Sequence, residues 1–358
     1  MESMYHVILA GGSGSRFWPK SRQDTPKQLL KIIGDESMIR LTYKRLQKIS
    51  KADNILIVAS KTICKKIQIE IPEIPENNYI IEPSGKNTAP AIGLAAINIL
   101  KRNQNAIMGV YPSDHLIMDE KKFKAIITIA CEIIFSENAL ITIGIKPTYP
   151  ATGYGYIQLK TIKENKLKGV YRVKKFVEKP TEKVATKYVS SGEFLWNGGI
   201  FLWKAKTILE EIKTFMPNLH KSLNSLYNAI DESNYKMMVK KQWNLIESES
   251  IDYGILEKSQ NVFTIEADFK WSDLGSWKSL FSILTKNSDQ NYYEGDIISV
   301  KSKNNLVISP NRLIAMVGIK NLTIINLDDA TLIVPHENAE EVKDIVNMLK
   351  SLNRKEYL

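Results

Sequence analysis

The chain has 358 residues, 44% of them hydrophobic and 25% charged, and its 49 Lys and Arg against 39 Asp and Glu give a formal net charge of +10. This is ordinary globular composition, with length enough for a main domain and a smaller one. No apolar run is long enough to cross a bilayer and no signal peptide is visible at the N-terminus, so we predict a cytoplasmic protein without a membrane partner. The two cysteines, Cys64 and Cys131, are expected to be reduced thiols.

The positive charge raises the question of a nucleic-acid partner. The basic residues are spread along the whole chain in short pairs such as Lys65-Lys66 and Lys174-Lys175, which are typical of solvated helix faces and loops. No zinc-ligand cluster, RNA-recognition signature or helix-turn-helix pattern accompanies them. We therefore predict no nucleic-acid partner, and a positive field equally suits phosphorylated small substrates.

The first predicted element is a buried strand over residues 7–10, because this run is short, apolar and uninterrupted. Three glycines follow it, at Gly11, Gly12 and Gly14. Glycine lets main-chain N–H groups approach an anion closely and makes positive φ angles cheap. Arg16 and Lys27 add a forked donor and a point charge, which suit different phosphates of one polyphosphate. The segment predicts a nucleotide-phosphate site, and the alternative is an ordinary glycine turn.

The spacing of these glycines excludes two common phosphate loops. The dinucleotide motif G-x-G-x-x-G requires a third glycine where Phe17 stands, and the P-loop requires a lysine directly after its last glycine, which is absent. The fingerprint of a dehydrogenase is therefore missing, and the loop is of another kind.

Strand and helix patterns then alternate in the manner of a doubly wound α/β fold. The next predicted elements are a helix over residues 37–49 and buried strands over residues 55–58 and 79–83. A helix follows from about residue 91 to residue 100. Asn87 or Thr88 is suited to cap this helix, a role that needs no ligand.

A strand over residues 106–110 delivers Ser113 and Asp114 to its carboxyl end. Open α/β sheets place their ligands at the carboxyl ends of parallel strands. Asp114 is then placed to hold a hard cation, since Mg²⁺ takes one or two carboxylates together with substrate phosphate oxygens. The alternative is an aspartate that caps the next helix.

The pattern of apolar and polar residues changes beyond residue 287. The elements before this point are a helix over residues 123–134, a strand over 140–145, a loop over 147–155, a strand over 171–177, a helical region over 209–244 and a helix that opens near residue 250. Short apolar strands separated by turns follow, and a helix from about residue 339 closes the chain. We predict an α/β domain over residues 1–286 and a small β-domain over residues 287–358.

Several motifs resemble, in order, those of the sugar nucleotidyltransferases, which join a sugar 1-phosphate to a nucleoside triphosphate. The first is L-A-G-G-x-G-x-R, followed by Pro26-Lys27. The motifs E-P-x-x-K-N-T-A-P, P-S-D-H, F-V-E-K-P, S-I-D-Y and W-S-D-x-G-S-W resemble the mannose-1-phosphate guanylyltransferase branch. Two positions depart from the pattern: Lys86 stands where arginine is usual and Gly198 where serine is usual, so a forked donor and a hydroxyl are lost.

The resemblance implies a role for each motif residue. Catalytic roles are implied for Arg16, Lys27, Asp114 and Asp273. Nucleotide binding is implied for Ala10, Gly11, Gly12, Gly14, Ser15, Arg16, Lys86, Asn87, Thr88 and Ser113. Sugar-phosphate binding is implied for Gly153, Glu178, Lys179 and Asn197. The implied metal is Mg²⁺, held by Asp114 and Asp273, and the tryptophans that flank Asp273, Trp271 and Trp277, are expected to be exposed.

The implied fold is a Rossmann-like, glycosyltransferase-A-like mixed sheet flanked by helices. It makes residues 1–286 a nucleotidyltransferase catalytic domain. Residues 287–358 are then a short left-handed β-helix with a terminal helix, involved in the contacts of a homodimer.

The implied reaction transfers GMP from GTP to α-D-mannose 1-phosphate and gives GDP-mannose and pyrophosphate by a Mg²⁺-dependent in-line displacement. The residues agree with this chemistry, because a phosphate monoester with a second pKa near ~6 is mostly dianionic at neutral pH and needs no general base. Two alternatives stay open. One is transfer to another sugar 1-phosphate, such as a heptose, and the other is a non-catalytic sugar-nucleotide sensor.

Overall fold

The computed structural model describes residues 3–12, 14–160 and 169–358. The chain forms two compact units. The first comprises Met1–Gly11, Thr42–Ser113 and Ile117–Trp271, and the second comprises Gly12–Leu41, Asp114–Leu116 and Ser272–Leu358. None of the helices in these described ranges has the length and apolar character needed to span a bilayer.

Strands and helices alternate over most of the chain. The strands are β1 (Met4–Leu9), β2 (Ile55–Ser60), β3 (Tyr79–Glu82), β4 (Ile107–Pro112), β5 (Leu116–Ile117), β6 (Leu140–Ile145), β7 (Tyr156–Lys160), β8 (Val170–Val177), β9 (Phe194–Lys204), β10 (Val262–Ala267), β11 (Trp271–Ser272), β12 (Tyr292–Val300), β13 (Leu306–Val317), β14 (Leu322–Asn326) and β15 (Thr331–Pro335). The helices are α1 (Met38–Gln47), α2 (Lys61–Glu70), α3 (Thr88–Arg102), α4 (Glu120–Glu137), α5 (Glu182–Ser191), α6 (Ala205–Phe215), α7 (Pro217–Ala229), α8 (Tyr235–Leu245), α9 (Trp277–Ile283) and α10 (Val342–Ser351).

The first unit is built on a mixed sheet with the strand order β3-β2-β1-β4-β9-β6-β10-β8-β7. The strands β3, β2, β1 and β4 are parallel neighbours, and β6 is parallel to β10. β9 lies between β4 and β6 and is antiparallel to both. Consecutive residues of β2 and β4 are buried, so both faces of the sheet are covered, and helices α3, α4 and α6 pack against it. The predicted mixed sheet flanked by helices is confirmed.

The carboxyl ends of the parallel strands bring candidate residues to one edge of this sheet. In the β1–β4 ladder Leu9 pairs with Pro112, and the N–H group of Ser113 donates to the carbonyl of Leu9 at 3.1 Å. The residues that follow β1 and β4 are therefore neighbours. Ala10 follows β1 directly, and Glu82 ends β3, two strands away in the same parallel set.

Two elements differ from the sequence prediction. Helix α3 begins at Thr88 rather than near residue 91, because the side chain of Asn87 caps it by accepting from the Thr88 N–H group at 2.9 Å. The segment after residue 250 is a short π-helical turn, Asp252–Leu256, rather than a regular helix.

The second unit contains a small sheet in the order β12-β13-β14-β15, in which the first three strands are parallel and β15 is antiparallel to β14. Buried asparagines connect successive turns: Nδ2 of Asn305 donates to Oδ1 of Asn291 and to the carbonyl of Ile319, both at 3.0 Å. Gly295 has a φ of +111°, and a Cβ atom there would lie 1.9 Å from the carbonyl oxygen of Ser309. Short parallel strands stacked in this way confirm the predicted β-domain.

The segment Gly12–Leu41 belongs to this second unit and contributes several residues to its core. The side chains of Phe17, Trp18 and Leu30 form one apolar cluster with residues of α9, α10 and β13–β15. The same core therefore supports the glycine loop and the C-terminal strands. The compact units do not follow chain order, whereas the predicted domains 1–286 and 287–358 do, and that division stays a prediction.

Candidate active site

The loop after β1 uses glycine where another residue would not fit. Gly12 and Gly14 have φ angles of +106° and +60°, in the left-handed region that side chains disfavour. A Cβ atom on Gly14 would lie only 2.2 Å from Cβ of Lys27, so glycine at this position allows Lys27 to reach the loop. The predicted phosphate loop over residues 11–16 includes residue 13, which lies outside the described residues.

Lys27 is a buried cation, 5% exposed, in a short turn that follows Pro26. Its Nζ atom donates to Oδ2 of Asp114 at 2.7 Å and to the backbone oxygen of Asp273 at 2.6 Å. Burial raises the pKa of the Asp114 carboxyl, but the charges of Lys27 and His115 outweigh burial and hold this pKa below its ordinary value. Asp114 is therefore ionised at neutral pH, and three predicted catalytic residues lie together.

Asp273 lies in a polar turn that its own carboxylate stabilises, because Oδ1 accepts from the N–H group of Gly275 at 3.0 Å. The prediction that both flanking tryptophans are exposed is wrong. Trp277 is 1% exposed, since its ring packs on Phe17 with the ring centroids 4.9 Å apart, and Trp271 is half-buried. Both indoles serve packing, so they give no sign of a solvent-facing platform.

Asp114, through its carboxylate, and Asp273, through its backbone oxygen, contact the same ammonium group. They offer oxygen ligands, which suit a hard divalent cation. In the part of the chain that the structure describes, no three His, Cys, Asp or Glu side chains form a metal cluster. Mg²⁺ takes one or two carboxylates and keeps positions for substrate oxygens, and the assignment of both carboxylates to one ion stays a prediction. The alternative role of Asp114 as a helix cap is excluded, because Asp119 caps α4.

Arg16 lies in the turn Ser15–Phe17 and forms an ion pair with Glu340, with Nε and Oε2 2.6 Å apart. The two side chains are 41% and 58% exposed, so solvent screens the pair, and such pairs are worth at most about 1 kcal/mol. Arg16 is thus held beside the loop by a weak contact.

The segment over residues 86–88 is tied to the chain near residue 250. The Nζ atom of Lys86 donates to the carbonyl of Ile246, so its charge is engaged by the protein. The Thr88 hydroxyl oxygen accepts from the N–H group of Ile251 at 2.8 Å. These predicted nucleotide-binding residues therefore also shape the loop that carries them.

Glu82 is a candidate residue that the sequence reasoning missed. It is 7% exposed, and no hydrogen bond or ion pair to its carboxylate is found in the described ranges. Burial raises its pKa to about 7. Its Oε1 atom lies 3.3 Å from the position that a Cβ atom on Gly11 would take. Because an unpartnered buried carboxylate is costly, this one is suited to a ligand that donates hydrogen bonds. The available signal was its place directly before Pro83 in a matched motif.

Gly155 lies against the sugar-phosphate candidates more closely than Gly153 does. A Cβ atom on Gly153 would meet nothing within 4 Å, whereas one on Gly155 would lie 2.7 Å from Oε2 of Glu178 and 3.5 Å from Cβ of Asn197. The carbonyl of Gly155 also accepts from the N–H group of Asn197 at 2.8 Å. Glu178 in turn pairs with Lys179, with Oε1 and Nζ 3.0 Å apart. The sequence reasoning missed Gly155, although it stands in the same glycine-rich loop.

Both ends of the Asn197 amide are hydrogen-bonded. Nδ2 donates to Oδ1 of Asp252 at 2.7 Å, while Oδ1 accepts from the Thr142 hydroxyl at 3.1 Å and from the Gly199 N–H group at 3.2 Å. Burial and then the charge of Glu178 raise the pKa of Asp252 to about 6. The sequence analysis gave Asp252 a place in the S-I-D-Y motif but no role at the site, and its contact with Asn197 adds it to this group of residues.

Gly198 departs from the related motif for a reason of packing. A Cβ atom at this position would lie 2.8 Å from the carbonyl oxygen of Ile143 on the neighbouring strand β6. In this chain the close approach of β9 and β6 therefore requires glycine, and a serine hydroxyl cannot be placed here without a shift of the strands.

Comparisons with known proteins cover nearly the whole chain. The family model described as nucleotidyl transferase matches residues 5–290, and the model described as MannoseP isomerase/GMP-like beta-helix domain matches residues 295–349. Mannose-1-phosphate guanylyltransferase RfbM of Salmonella typhimurium is 37% identical over 361 residues, which cover 99% of this chain and 74% of the relative. Xanthan biosynthesis protein XanB of Xanthomonas campestris pv. campestris is 36% identical over 359 residues, which cover 99% of this chain and 75% of the relative.

Solved structures agree with these sequence matches. The structure described as mannose-1-phosphate geranyltransferase from Thermus thermophilus has a TM-score of 0.88 at 28% identity and covers 97% of this chain and 99% of its own. The structure described as mannose-6-phosphate isomerase from Helicobacter pylori has a TM-score of 0.62 at 27% identity and covers 75% of this chain and 99% of its own. On these matches the chain belongs to the nucleotidyl transferase family and carries a β-helix domain of the MannoseP isomerase/GMP-like type.

Proposed function

We propose that this protein transfers GMP from GTP to α-D-mannose 1-phosphate, forming GDP-mannose and releasing pyrophosphate. The observation that carries the proposal is the contact of the buried Lys27 ammonium with the Asp114 carboxylate and the Asp273 backbone oxygen, beside a loop in which Gly14 leaves room for Lys27. A fixed cation, carboxylates for a metal and main-chain donors are the recurring parts of phosphate-transfer sites. Relatives named mannose-1-phosphate guanylyltransferase support the choice of substrates.

The reaction needs no general base, since the attacking phosphate is already mostly dianionic at neutral pH. The buried histidines of the described chain agree with this view. Burial lowers the pKa of His6 to about 3, so its ring is neutral and resists protonation. Burial also lowers the pKa of His336, whose ring contacts the Thr323 hydroxyl and the Asn304 carbonyl. Both rings are buried among groups of the protein itself, so we assign neither a catalytic role.

In this proposal the triphosphate is bound by main-chain N–H groups of the glycine loop, by Arg16 and by Lys27. The chemical work is to align the attacking oxygen with the α-phosphorus and to stabilise charge on the equatorial and leaving oxygens. Lys27 is suited to this because its ammonium is already desolvated and held in place. Arg16 supplies two or more forked donors once Glu340 is displaced.

Asp114 and Asp273 are the residues that would hold a divalent cation, and we propose Mg²⁺. When bound there, the ion would supply positive charge to the phosphate groups of the substrate. The neighbouring ammonium of Lys27 keeps Asp114 ionised and therefore available as a ligand.

Glu82 favours guanine over adenine. Guanine carries an N1–H donor next to its 2-amino group, and two carboxylate oxygens accept this pair of donors side by side. Adenine has an acceptor at N1, which a carboxylate repels. We therefore assign Glu82 to guanine recognition. The residues assigned with it to the nucleotide are Ala10, Gly11, Gly12, Gly14, Ser15, Lys86, Asn87, Thr88 and Ser113.

The sugar phosphate is assigned to the group around Gly155. Lys179 provides an exposed ammonium for the phosphate, while Glu178 and Asn197 provide an acceptor and a donor for hydroxyl groups. In this proposal Gly155 and Gly153, which have no side chains, leave room for the hexose.

The experiment that tests the proposal is pyrophosphate release with GTP and Mg²⁺ over a panel of sugar 1-phosphates, with ATP and UTP as nucleotide controls. Release with mannose 1-phosphate and GTP alone is the expected result. Release with another sugar, such as a heptose, would keep the reaction and overturn the specificity, and no release over the whole panel would favour the sugar-nucleotide sensor. Size-exclusion chromatography with light scattering tests the homodimer, which stays a prediction.

A further inference from the structure

The orientation of the Asn197 amide is fixed by the protein. The N–H group of Gly199 is only a donor, so the amide atom that faces it at 3.2 Å is the oxygen. This oxygen also accepts from the hydroxyl of Thr142 at 3.1 Å, which occupies its second lone pair. One of the two Nδ2 protons goes to Asp252. The other Nδ2 proton is then the one group that Asn197 can offer to a ligand, and Asn197 can act there only as a donor.

Hydrogen bonds of the neighbouring residues also fix the position of Asp252. It opens the π-helical turn, where the hydroxyl oxygen of Ser250 accepts from the N–H group of Tyr253 at 3.1 Å. One residue earlier, the N–H group of Ile251 donates to the Thr88 hydroxyl at 2.8 Å. Only Oδ1 of Asp252 faces the Asn197 amide, and a carboxylate has accepting capacity on both oxygens. The pair thus offers a donor and an acceptor side by side.

The contact with Asn197 does not explain why an ionisable residue stands at position 252. Burial and the negative charge of Glu178 both disfavour the ionised carboxylate, and its pKa is raised to about 6. An asparagine at this position would accept the same Nδ2 proton without that cost. A disfavoured charge that structure alone does not require points to a ligand.

We propose that Asp252 determines sugar specificity: its carboxylate accepts from one hydroxyl of the hexose while Nδ2 of Asn197 donates to a neighbouring hydroxyl. A vicinal pair of hydroxyls supplies one donor and one acceptor, so it satisfies both residues at once. A sugar that lacks or inverts one of the two hydroxyls leaves a desolvated group unpaired, and such losses discriminate strongly. The inference rests on the proposed sugar-phosphate reaction and deepens it.

The test is a cycle of enzyme and substrate changes. Wild type and Asp252→Asn are compared on mannose 1-phosphate and on its 2-, 3- and 4-deoxy analogues, by kcat/KM for pyrophosphate release with GTP. For wild type, kcat/KM is expected to fall about tenfold to 100-fold with at least one analogue, which is the effect of losing one charge-assisted hydrogen bond. For Asp252→Asn, kcat/KM is expected to fall less than about threefold with that same analogue, because its one amide oxygen accepts from Asn197 and no acceptor is left for the sugar hydroxyl.

A matched control is Glu257→Gln, which removes an exposed carboxylate whose charge also acts on Asp252. It is expected to keep the penalty that wild type shows for the deoxy sugar. Asp252→Ser is a second variant and is expected to behave like Asp252→Asn, with thermal melting as the check on folding. If Asp252→Asn lowers kcat/KM by one common factor for every sugar, Asp252 acts only in structure and the inference is overturned.

Calorimetric binding of the same sugar 1-phosphates separates this inference from the proposed reaction. Binding that depends on one hydroxyl in wild type but not in Asp252→Asn supports the role of Asp252, whether or not pyrophosphate is released. The absence of pyrophosphate release would overturn the proposed reaction alone. The opposite outcome is that both proteins release pyrophosphate and that each deoxy sugar weakens binding and kcat/KM equally in the two. This outcome would overturn the role of Asp252 and keep the reaction.

Discussion

The Nζ atom of Lys27 lies 2.7 Å from Oδ2 of Asp114, although 87 residues separate the two in the chain. The ammonium and the carboxylate neutralise each other in a region where Lys27 is 5% exposed. Neither charge is therefore tolerated well without the other, since a lone buried charge costs far more than a paired one. The same pair links the phosphate-binding segment to the residue proposed for the metal.

Lys27→Met is expected to lower kcat by about 10²- to 10³-fold, because it removes a preorganised positive charge from the phosphate site. It also raises the pKa of Asp114, which loses the charge that now lowers it. The measurement is steady-state pyrophosphate release at pH 7.5. Lys31→Met removes an exposed lysine from the same segment and serves as the control. Full activity of Lys27→Met would remove Lys27 from the mechanism.

Asp273→Asn is expected to lower turnover by about 10²-fold or more while the protein stays folded. The amide oxygen of asparagine still accepts from the Gly275 N–H group, so the turn keeps its hydrogen bond, but the negative charge for the metal is lost. Turnover is measured over a Mg²⁺ titration, with thermal melting as the check on folding and the exposed Asp289→Asn as the control. Turnover near that of wild type at every Mg²⁺ concentration would exclude Asp273 from the metal site.

Glu82→Gln is expected to reduce the preference for GTP over ITP by about tenfold, because ITP lacks the 2-amino group and a glutamine offers only one accepting oxygen. The two kcat/KM values are compared in wild type, in Glu82→Gln and in the exposed control Glu76→Gln. An unchanged GTP/ITP ratio in Glu82→Gln would show that Glu82 does not contact the base.

The same carboxylate predicts a pH dependence of nucleotide binding. Burial raises the pKa of Glu82 to about 7, so the group becomes protonated as the pH falls through that value and loses accepting capacity. We expect the KM for GTP in wild type to rise as the pH is lowered from 8 to 6, and the rise to be smaller in Glu82→Gln. Parallel profiles in the two proteins would assign the titration to another group.

Lys179→Ala is expected to raise the KM for the sugar phosphate by about tenfold, with the KM for GTP nearly unchanged. The exposed ammonium now pairs with the adjacent Glu178, a contact that a dianionic phosphate can replace. Both KM values are measured at saturating second substrate, with the exposed Lys183→Ala as the matched control. A rise confined to the KM for GTP would place Lys179 at the nucleotide instead.

His6 predicts how stability depends on pH. The folded ring has a pKa lowered to about 3 by burial, while an unfolded histidine has the ordinary pKa of 6.5, so between these values the unfolded state binds the proton. The contribution to stability is complete above pH 6.5 and is lost by about 1.4 kcal/mol per pH unit as the pH falls below it. Urea unfolding at pH 7.5 and 5.0 should show a smaller loss in His6→Asn than in wild type.

The parts of this protein that were predictable are those that sequence spacing controls. Apolar runs located β1, β2 and β4, and the glycines at positions 12 and 14 predicted positive φ angles that the structure contains. Local pattern could not show which aspartate caps α4, because Asp114 and Asp119 both precede it and only backbone geometry decides between them.

The residues that the sequence reasoning missed owe their character to distant neighbours. Glu82 has a raised pKa because of burial by the fold, and Asp252 becomes part of a sugar group only through Asn197, 55 residues away. Trp277 looked like an exposed aromatic beside a polar turn, but it fills the core around Phe17. Desolvation and long-range contact carry no periodic signal in a single sequence.

The packing of Trp18 gives the protein an optical reporter. Trp18 follows the turn Ser15–Phe17 directly, and its backbone carbonyl accepts the indole N–H of Trp277 at 3.0 Å. Its own indole N–H donates to the carbonyl of Tyr357 at 2.8 Å. Indole emission depends on such hydrogen bonds, so any shift of this turn on phosphate binding is expected to change the emission of these two of the six tryptophans. Intrinsic fluorescence is then the label-free measurement with which we expect to follow occupancy of the phosphate loop.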